Sequence, residues 1–393
     1  MCCLLIVQPS VTFSAYPMLM PLSYLALGLC ILSFLIMATI SLKHPVFSVW
    51  DISVIIYCIY LIFMSFIIGT DLKNAFYSTV VILLLVLLFH YYSHNISLLL
   101  QALSFAFSCC VYACALQLII FPETLFEAES SVYGGFLLGG NYNQIGCRLL
   151  CGIISSIMCI RYHIIWLVNT IALSVFSITV LGLVGSMTSL SCVLLFVILS
   201  LITSKKIQVL SLLGYFLFYM FFHFFVVFSG EGLHNNETAR YIIEDVLGKD
   251  ITFTNRTWMW ESALRVISDS PLFGHGYVTK EWYLDNMDST AIGPHNYILA
   301  TLIFGGVTLL LLFIFIGIQS VIQNIKCNDK IGIILLIGTM SLLFMMTFEF
   351  YDSIFIFLLF TYSRYYPQIL NSYSKNKVVD NVKVESILIN DRE

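Results

Sequence analysis

Arg256, His295 and the turn between them form the most chemically loaded stretch of this sequence. It reads TNRTWMWESALRVISDSPLFGHGY and, after an acidic interval, GPHNYILATLIFGG. Thr254 or Asn255 can cap a helix that starts at Arg256, where free N–H groups and the positive dipole end favour an anion. A guanidinium there can grip a phosphate through two parallel hydrogen bonds; the bland alternative is an exposed arginine with an acidic partner. Arg265 has such a partner within reach, Glu261, four residues earlier on the same helix. Pro271 stops the helix, and Gly274 and Gly276 permit a tight turn with backbone close to a ligand. His295 follows Pro294, a residue suited to a first helical turn, and the dipole at that end disfavours a charged imidazole. It is a candidate base, and Asn296 beside it can orient the ring or hold a hydroxyl group. Gly305 and Gly306 lie about ten residues into the same helix and make room for a neighbouring helix or a lipid tail.

The elements that must position these groups are membrane spans. Hydrophobic residues make up 60% of the chain and charged residues 10%, which excludes an ordinary soluble protein. Apolar runs long enough for a hydrocarbon core of roughly 30 Å read as helices over 18–41, 51–69, 75–92, 97–121, 141–161, 164–184, 188–204, 207–228, 295–321, 331–349 and 351–367. Residues 1–16 are apolar but short and interrupted by Pro9, so they form half a hairpin or lie in the interface. The expected fold is all-α and polytopic, with 11–12 transmembrane helices. Its organisation is a first helical set over 1–228, a large loop over 229–294 containing short helices, a second set over 295–367 and a polar tail over 368–393. No repeat is evident, and no similar halves of the kind seen in inverted-repeat transporters.

Basic residues orient the spans. Lys43, Arg161, Lys205, Lys206, Lys326, Lys330, Arg364 and the Lys375–Lys383 cluster all fall on one side, which is therefore cytoplasmic. The long loop and the His295 end of its helix then lie outside the cytoplasm. That loop holds ten acids and five bases, so any anion site in it must be built from particular residues. The twelve cysteines avoid it, leaving no disulfide framework and no zinc-binding pair on a loop. On the helical face of 256–269, Trp260, Ala263, Leu264 and Ile267 recur at helical spacing, and Trp258 and Trp260 are expected interfacial anchors.

Three further polar features call for a reason. Arg148 falls one to two turns inside the span opened by Asn141, Tyr142, Asn143 and Gln144; it either works in a functional site or snorkels to the headgroups. Glu349 and Asp352 flank the turn between the last two spans, as solvated acids or as groups facing the same cavity.

The motif set resembles the O-antigen polymerase and O-antigen ligase superfamily of bacterial envelope glycosyltransferases. The resemblance runs from Gly140 to Tyr366 and is strongest from Asn255 to Gly306. It rests on Asn255-Arg256, Trp260, Pro271 to Gly276, His295-Asn296 and Gly305-Gly306, with Asn143 at the start of an earlier span. It implies transfer of a glycan from an undecaprenyl-diphosphate carrier at the outer face of the bacterial inner membrane, without a cofactor, metal or nucleotide sugar. His295 would be the base and Arg256 a diphosphate clamp, with Arg148, Arg240, Arg265, Asn143, Asn296, Gly274 and Gly276 toward the substrate. Glu349, Asp352 and Glu261 are the alternates for acid–base work. Implied partners are the lipid-linked oligosaccharide, membrane lipids and a chain-length regulator protein, with no nucleic acid. Where such proteins often carry Ser-Arg, this chain has Ser186-Met187, so Arg148 or Arg240 must replace that arginine. The weak, divergent motifs favour a polymerase; a ligase acting on the lipid A core and a multispan transporter remain the alternatives. A transporter accounts for the spans, but not for arginines, tryptophans and His-Asn gathered at a helix mouth.

Overall fold

The computed structural model describes residues 2–7, 20–41, 47–121, 135–136, 140–141, 144–229, 237, 241, 256–287, 293–349 and 351–374. Asn143 and Arg240, two expected substrate contacts, lie outside them.

Eleven apolar helices coincide with the eleven expected runs. They are α2 (Met20–Ser41), α3 (Val49–Ile68), α4 (Leu72–Tyr91), α5 (Ile96–Ile120), α6 (Ile145–Ile157), α7 (Ile165–Leu183), α8 (Met187–Leu201), α9 (Lys205–Phe222), α12 (Tyr297–Cys327), α13 (Lys330–Met345) and α14 (Ile354–Arg364). Between them stand α10 (Arg256–Asp269) and α11 (Lys280–Asn286), and α1 (Cys2–Ile6) precedes them all. Gly135–Phe136 and Gly140–Asn141 pair as two-residue antiparallel strands. Among the described residues six helical segments are long and apolar enough to cross a membrane; one of these, Leu72–Ile120, joins α4 and α5 through a short 3-10 turn. The other four, α6, α8, α13 and α14, are shorter. The chain is thus an all-α polytopic membrane protein.

Burial separates inner helices from outer ones. α14 is buried on every side from Ile354 to Ser363, as a helix apolar all round must be. α6 is equally enclosed. By contrast α7 and α9 turn Val168, Ile171, Leu210 and Leu213 outward, a surface suited to lipid. Local signals set several ends: Ser48 and Asp51 form a reciprocal capping box on α3, and Gly69 closes it with a left-handed φ of 77°.

At the N-terminus Leu5, Ile6 and Val7 are buried in the bundle beside α5, while Leu4 is exposed. At the other end residues 366–374 are helical, with Tyr366, Ile369 and Tyr373 buried. Tyr373 donates to the Met158 carbonyl at 2.5 Å.

The glycines of α12 have a different use from the one expected. Gly305 and Gly306 leave helical geometry, the latter at φ 63° and ψ −163°, which breaks the helix about 12 Å below its start. In a continuous helix Val307 N would reach Ile303 O, and Thr308 N would reach Phe304 O. Here the 271–276 turn inserts between them. Its Pro271 and Leu272 carbonyls accept from Val307 N and Thr308 N at 2.8 and 3.3 Å. Its His275 and Gly276 amides donate to Ile303 O and Phe304 O at 2.6 and 2.9 Å. Tyr60 Oη donates to the Gly305 carbonyl at 3.1 Å. Irregular backbone at membrane depth must be satisfied by protein, and these bonds do so.

Candidate active site

The turn that plugs α12 also anchors the loop. Gly274 has φ 70°, and a Cβ there would stand 2.5 Å from Gly305 N. A Cβ on Gly276 would meet Thr70 Oγ1 at 2.3 Å. Both glycines are required by close backbone and side-chain approach within the fold, and neither is among the residues lining the cavity described below. Tyr277 N then donates to Ser65 Oγ at 2.8 Å, Asp71 N donates to Tyr277 O at 2.9 Å, and the Tyr277 ring stacks on Phe304 at 4.7 Å.

α10 starts at Arg256 as expected. Its apolar face packs inward, and Trp260 is fully buried among Phe222 and Phe348. Trp260 is therefore a packing residue rather than an interfacial anchor. This packing delivers Arg256 to the turn after α13, where its Nη2 donates to Glu349 Oε1 and its guanidinium lies 5.8 Å from the centre of the Phe348 ring.

His295 reaches the same carboxylate from the other side. Its Nδ1 lies 3.3 Å from Glu349 Oε2. It does not occupy the first helical turn: Asn296 is the N-cap of α12, and His295 precedes it with φ 44°. A non-glycine residue in the left-handed region stores strain of a kind that clusters at functional sites. Asn296, expected to face substrate, has 0% exposure. Its Oδ1 accepts from Leu299 N at 3.1 Å and its amide donates to Thr347 O at 3.2 Å, so it builds the helix entrance.

His295 and Glu349 line a cavity of about 530 Å³. Asp71 and Asn74 at the start of α4, Thr279, Lys280 and Glu281 at the start of α11, and Gln144 complete the polar lining, with Phe304 and Tyr277 among its aromatic members. Cavities of this size commonly hold small ligands. The acceptor at Glu349 fixes the imidazole chemistry: an Nδ1–H donated to the carboxylate leaves the Nε2 lone pair to accept a proton.

The remaining expected residues do not converge here. Arg148 is 1% exposed, donates Nε to Val7 O at 3.2 Å and stands 5.1 Å over the Phe355 ring. It holds the N-terminal segment, and it does not snorkel. Asp352 is half-buried and not among the cavity residues. Burial pushes its carboxyl up, opposed by the charge of Arg148. Arg265 is exposed and donates to Ser262 Oγ at 2.8 Å. Glu261 sits on α10 outside the cavity lining. Sequence reasoning ranked Glu349 only as an alternate and passed over Asp71, Asn74 and Lys280 altogether; an acid at a span-connecting turn carries no local sign of what it will face.

Residues 170–314 match the family model described as O-antigen ligase, in agreement with the superfamily its motifs resemble. The match takes in Arg256, the 271–276 turn, His295 and the α12 break, while Arg148 and Glu349 lie beyond it. No curated protein matches the chain.

Proposed function

On the premise that residues 170–314 form an O-antigen ligase-type domain, we propose that this membrane protein is a glycosyltransferase acting on lipid-linked oligosaccharide. More specifically, it joins undecaprenyl-diphosphate-linked repeat units into a surface polysaccharide at the periplasmic face of the inner membrane. The observation that carries the reading is the Glu349 carboxylate, which binds His295 and Arg256 with separate oxygens beside a cavity that His295 and Glu349 line and Arg256 does not.

In this mechanism the acceptor hydroxyl enters the cavity and its proton passes to His295 Nε2 as the oxygen bonds to the donor's anomeric carbon. The bond from that carbon to the diphosphate breaks, and its electron pair leaves with the phosphate oxygen. Glu349 keeps the imidazole in the Nδ1–H form and stabilises the imidazolium that results. Arg256 retains N–H groups beyond the one given to Glu349, and these can meet the charge developing on the diphosphate.

The ligase alternative has the matched model's description in its favour. The divergent motifs and the Ser186-Met187 departure favour the polymerase. Deleting the gene and resolving the lipopolysaccharide on a gel tests both. A core bearing a single repeat unit supports the polymerase. A bare core, with carrier-linked chains accumulating, moves the assignment to ligase, and unchanged ladders remove both.

A further inference from the structure

His223 is a buried titratable group that the mechanism above leaves unused. It opens a π-helical segment, His223–Val227, at the end of α9. Such segments interrupt an α-helix at an energetic cost and recur at functional sites. Its ring packs 4.3 Å from that of Tyr219, and it is buried.

The hydrogen bonds define its tautomer. Nδ1 faces the Tyr219 carbonyl at 3.1 Å, an acceptor only, so Nδ1 carries the proton. Nε2 is then an acceptor, and it faces Asn296 Nδ2 at 3.5 Å. The second hydrogen of that amide goes to Thr347 O, and Asn296 Oδ1 caps α12. Tyr297 N adds a bond to Met346 O at 2.8 Å. His223 therefore orients the amide that ties the start of α12, with the strained His295, to the 346–349 turn, with Glu349. Its neighbour Phe222 packs on Phe348 at 5.2 Å and on Trp260 of α10 at 6.5 Å. Three elements carrying His295, Glu349 and Arg256 thus meet at residues 222–223.

We infer that His223 is a positioning residue for the His295–Glu349 pair, acting through Asn296. The inference rests on the functional reading of that pair. Its chemical requirement is a hydrogen-bond acceptor aimed at Asn296 together with a donor aimed at Tyr219 O. Glutamine can supply both; leucine and phenylalanine supply neither.

The experiment replaces the gene in the cell that makes the glycan with His223→Leu, His223→Phe, His223→Gln and His295→Ala versions. The gel-resolved glycan product is read beside membrane protein level and melting temperature in detergent. A misplaced catalytic group costs up to about 10²-fold. The Leu and Phe variants should lose product on that scale at normal protein level, and Gln should restore most of it. Should Leu fail to accumulate, Phe, which fills the ring's space, decides alone. Normal product from Phe, with none from His295→Ala, overturns the inference and leaves His223 as packing. Equal failure of Gln and Phe at normal protein level also overturns it, because the acceptor is then not what matters. Normal product from His295→Ala removes the functional reading and this inference with it.

Discussion

His295 Nδ1 lies 3.3 Å from Glu349 Oε2, joining two residues 54 positions apart across the entrance of α12. Glu349→Gln tests what that contact does. An amide can donate to Nδ1 and favour the opposite tautomer, which removes the basic lone pair from Nε2. Product should fall by about 10²–10⁴-fold at normal protein level. Wild-type product would exclude a tautomer-setting role for Glu349.

His295 itself is tested by two substitutions with different chemistry. His295→Ala should abolish or severely shorten the glycan while the protein remains folded and inserted, since losing a positioned base costs about 10²–10⁴ in rate. His295→Gln can hydrogen-bond but cannot take up a proton near neutrality, and it should fail equally. Normal chains from His295→Gln would reduce His295 to orienting the substrate and send the search for the base elsewhere.

The break in α12 predicts a stability effect at Gly306. Its φ is 63°, and a Cβ there would stand 2.3 Å from the Leu272 carbonyl carbon. With ψ −163° this is a conformation essentially confined to glycine, so Gly306→Ala should destabilise by about 1–3 kcal/mol from the backbone alone, with the collision added to it. The melting temperature in detergent reads this out. An unchanged value would mean that the 271–276 turn does not seat in the helix as described.

Arg148 is expected to matter for stability ahead of catalysis. Arg148→Lys keeps the charge but loses the planar face over Phe355. The expected result is a lower melting temperature, by the equivalent of about 0.5–3 kcal/mol, with product falling only as far as protein level falls. Lost product at an unchanged melting temperature would return Arg148 to the substrate site.

The orientation expected from the basic residues is open to a direct test. A reporter active only in the periplasm should work when fused near Leu284 and fail near Lys206 or Lys330. The reverse pattern would put the cavity on the wrong side for a periplasmic reaction.

Hydropathy alone located the eleven apolar helices among the described residues, and α10 opens at Arg256, where the sequence puts its start; the expected cap, Thr254 or Asn255, lies outside the described residues. Those features are local: twenty apolar residues cross a bilayer whatever surrounds them, and a cap acts within one turn. Partner identity was not local. Asn296 looked like a substrate contact because a polar residue stood at a helix mouth; in the fold its side chain is consumed by Leu299 N, Thr347 O and His223. Arg148 was an expected substrate contact because an intramembrane arginine needs a reason; in the fold its Nε donates to the carbonyl of Val7, 141 positions away, a contact no local pattern announces.

The sequence by itself determined an all-α membrane protein with Arg256 opening one helix and His295 at the mouth of another. Only the tertiary structure decided that Glu349 joins them, that the 271–276 turn fills the break at Gly305–Gly306, and that His223 stands behind Asn296. Span formation depends on composition summed along a short stretch of chain, so it is written locally. A carboxylate's partners and a broken helix's missing hydrogen bonds come from segments far away in sequence, and packing alone brings them within 3 Å or so of each other.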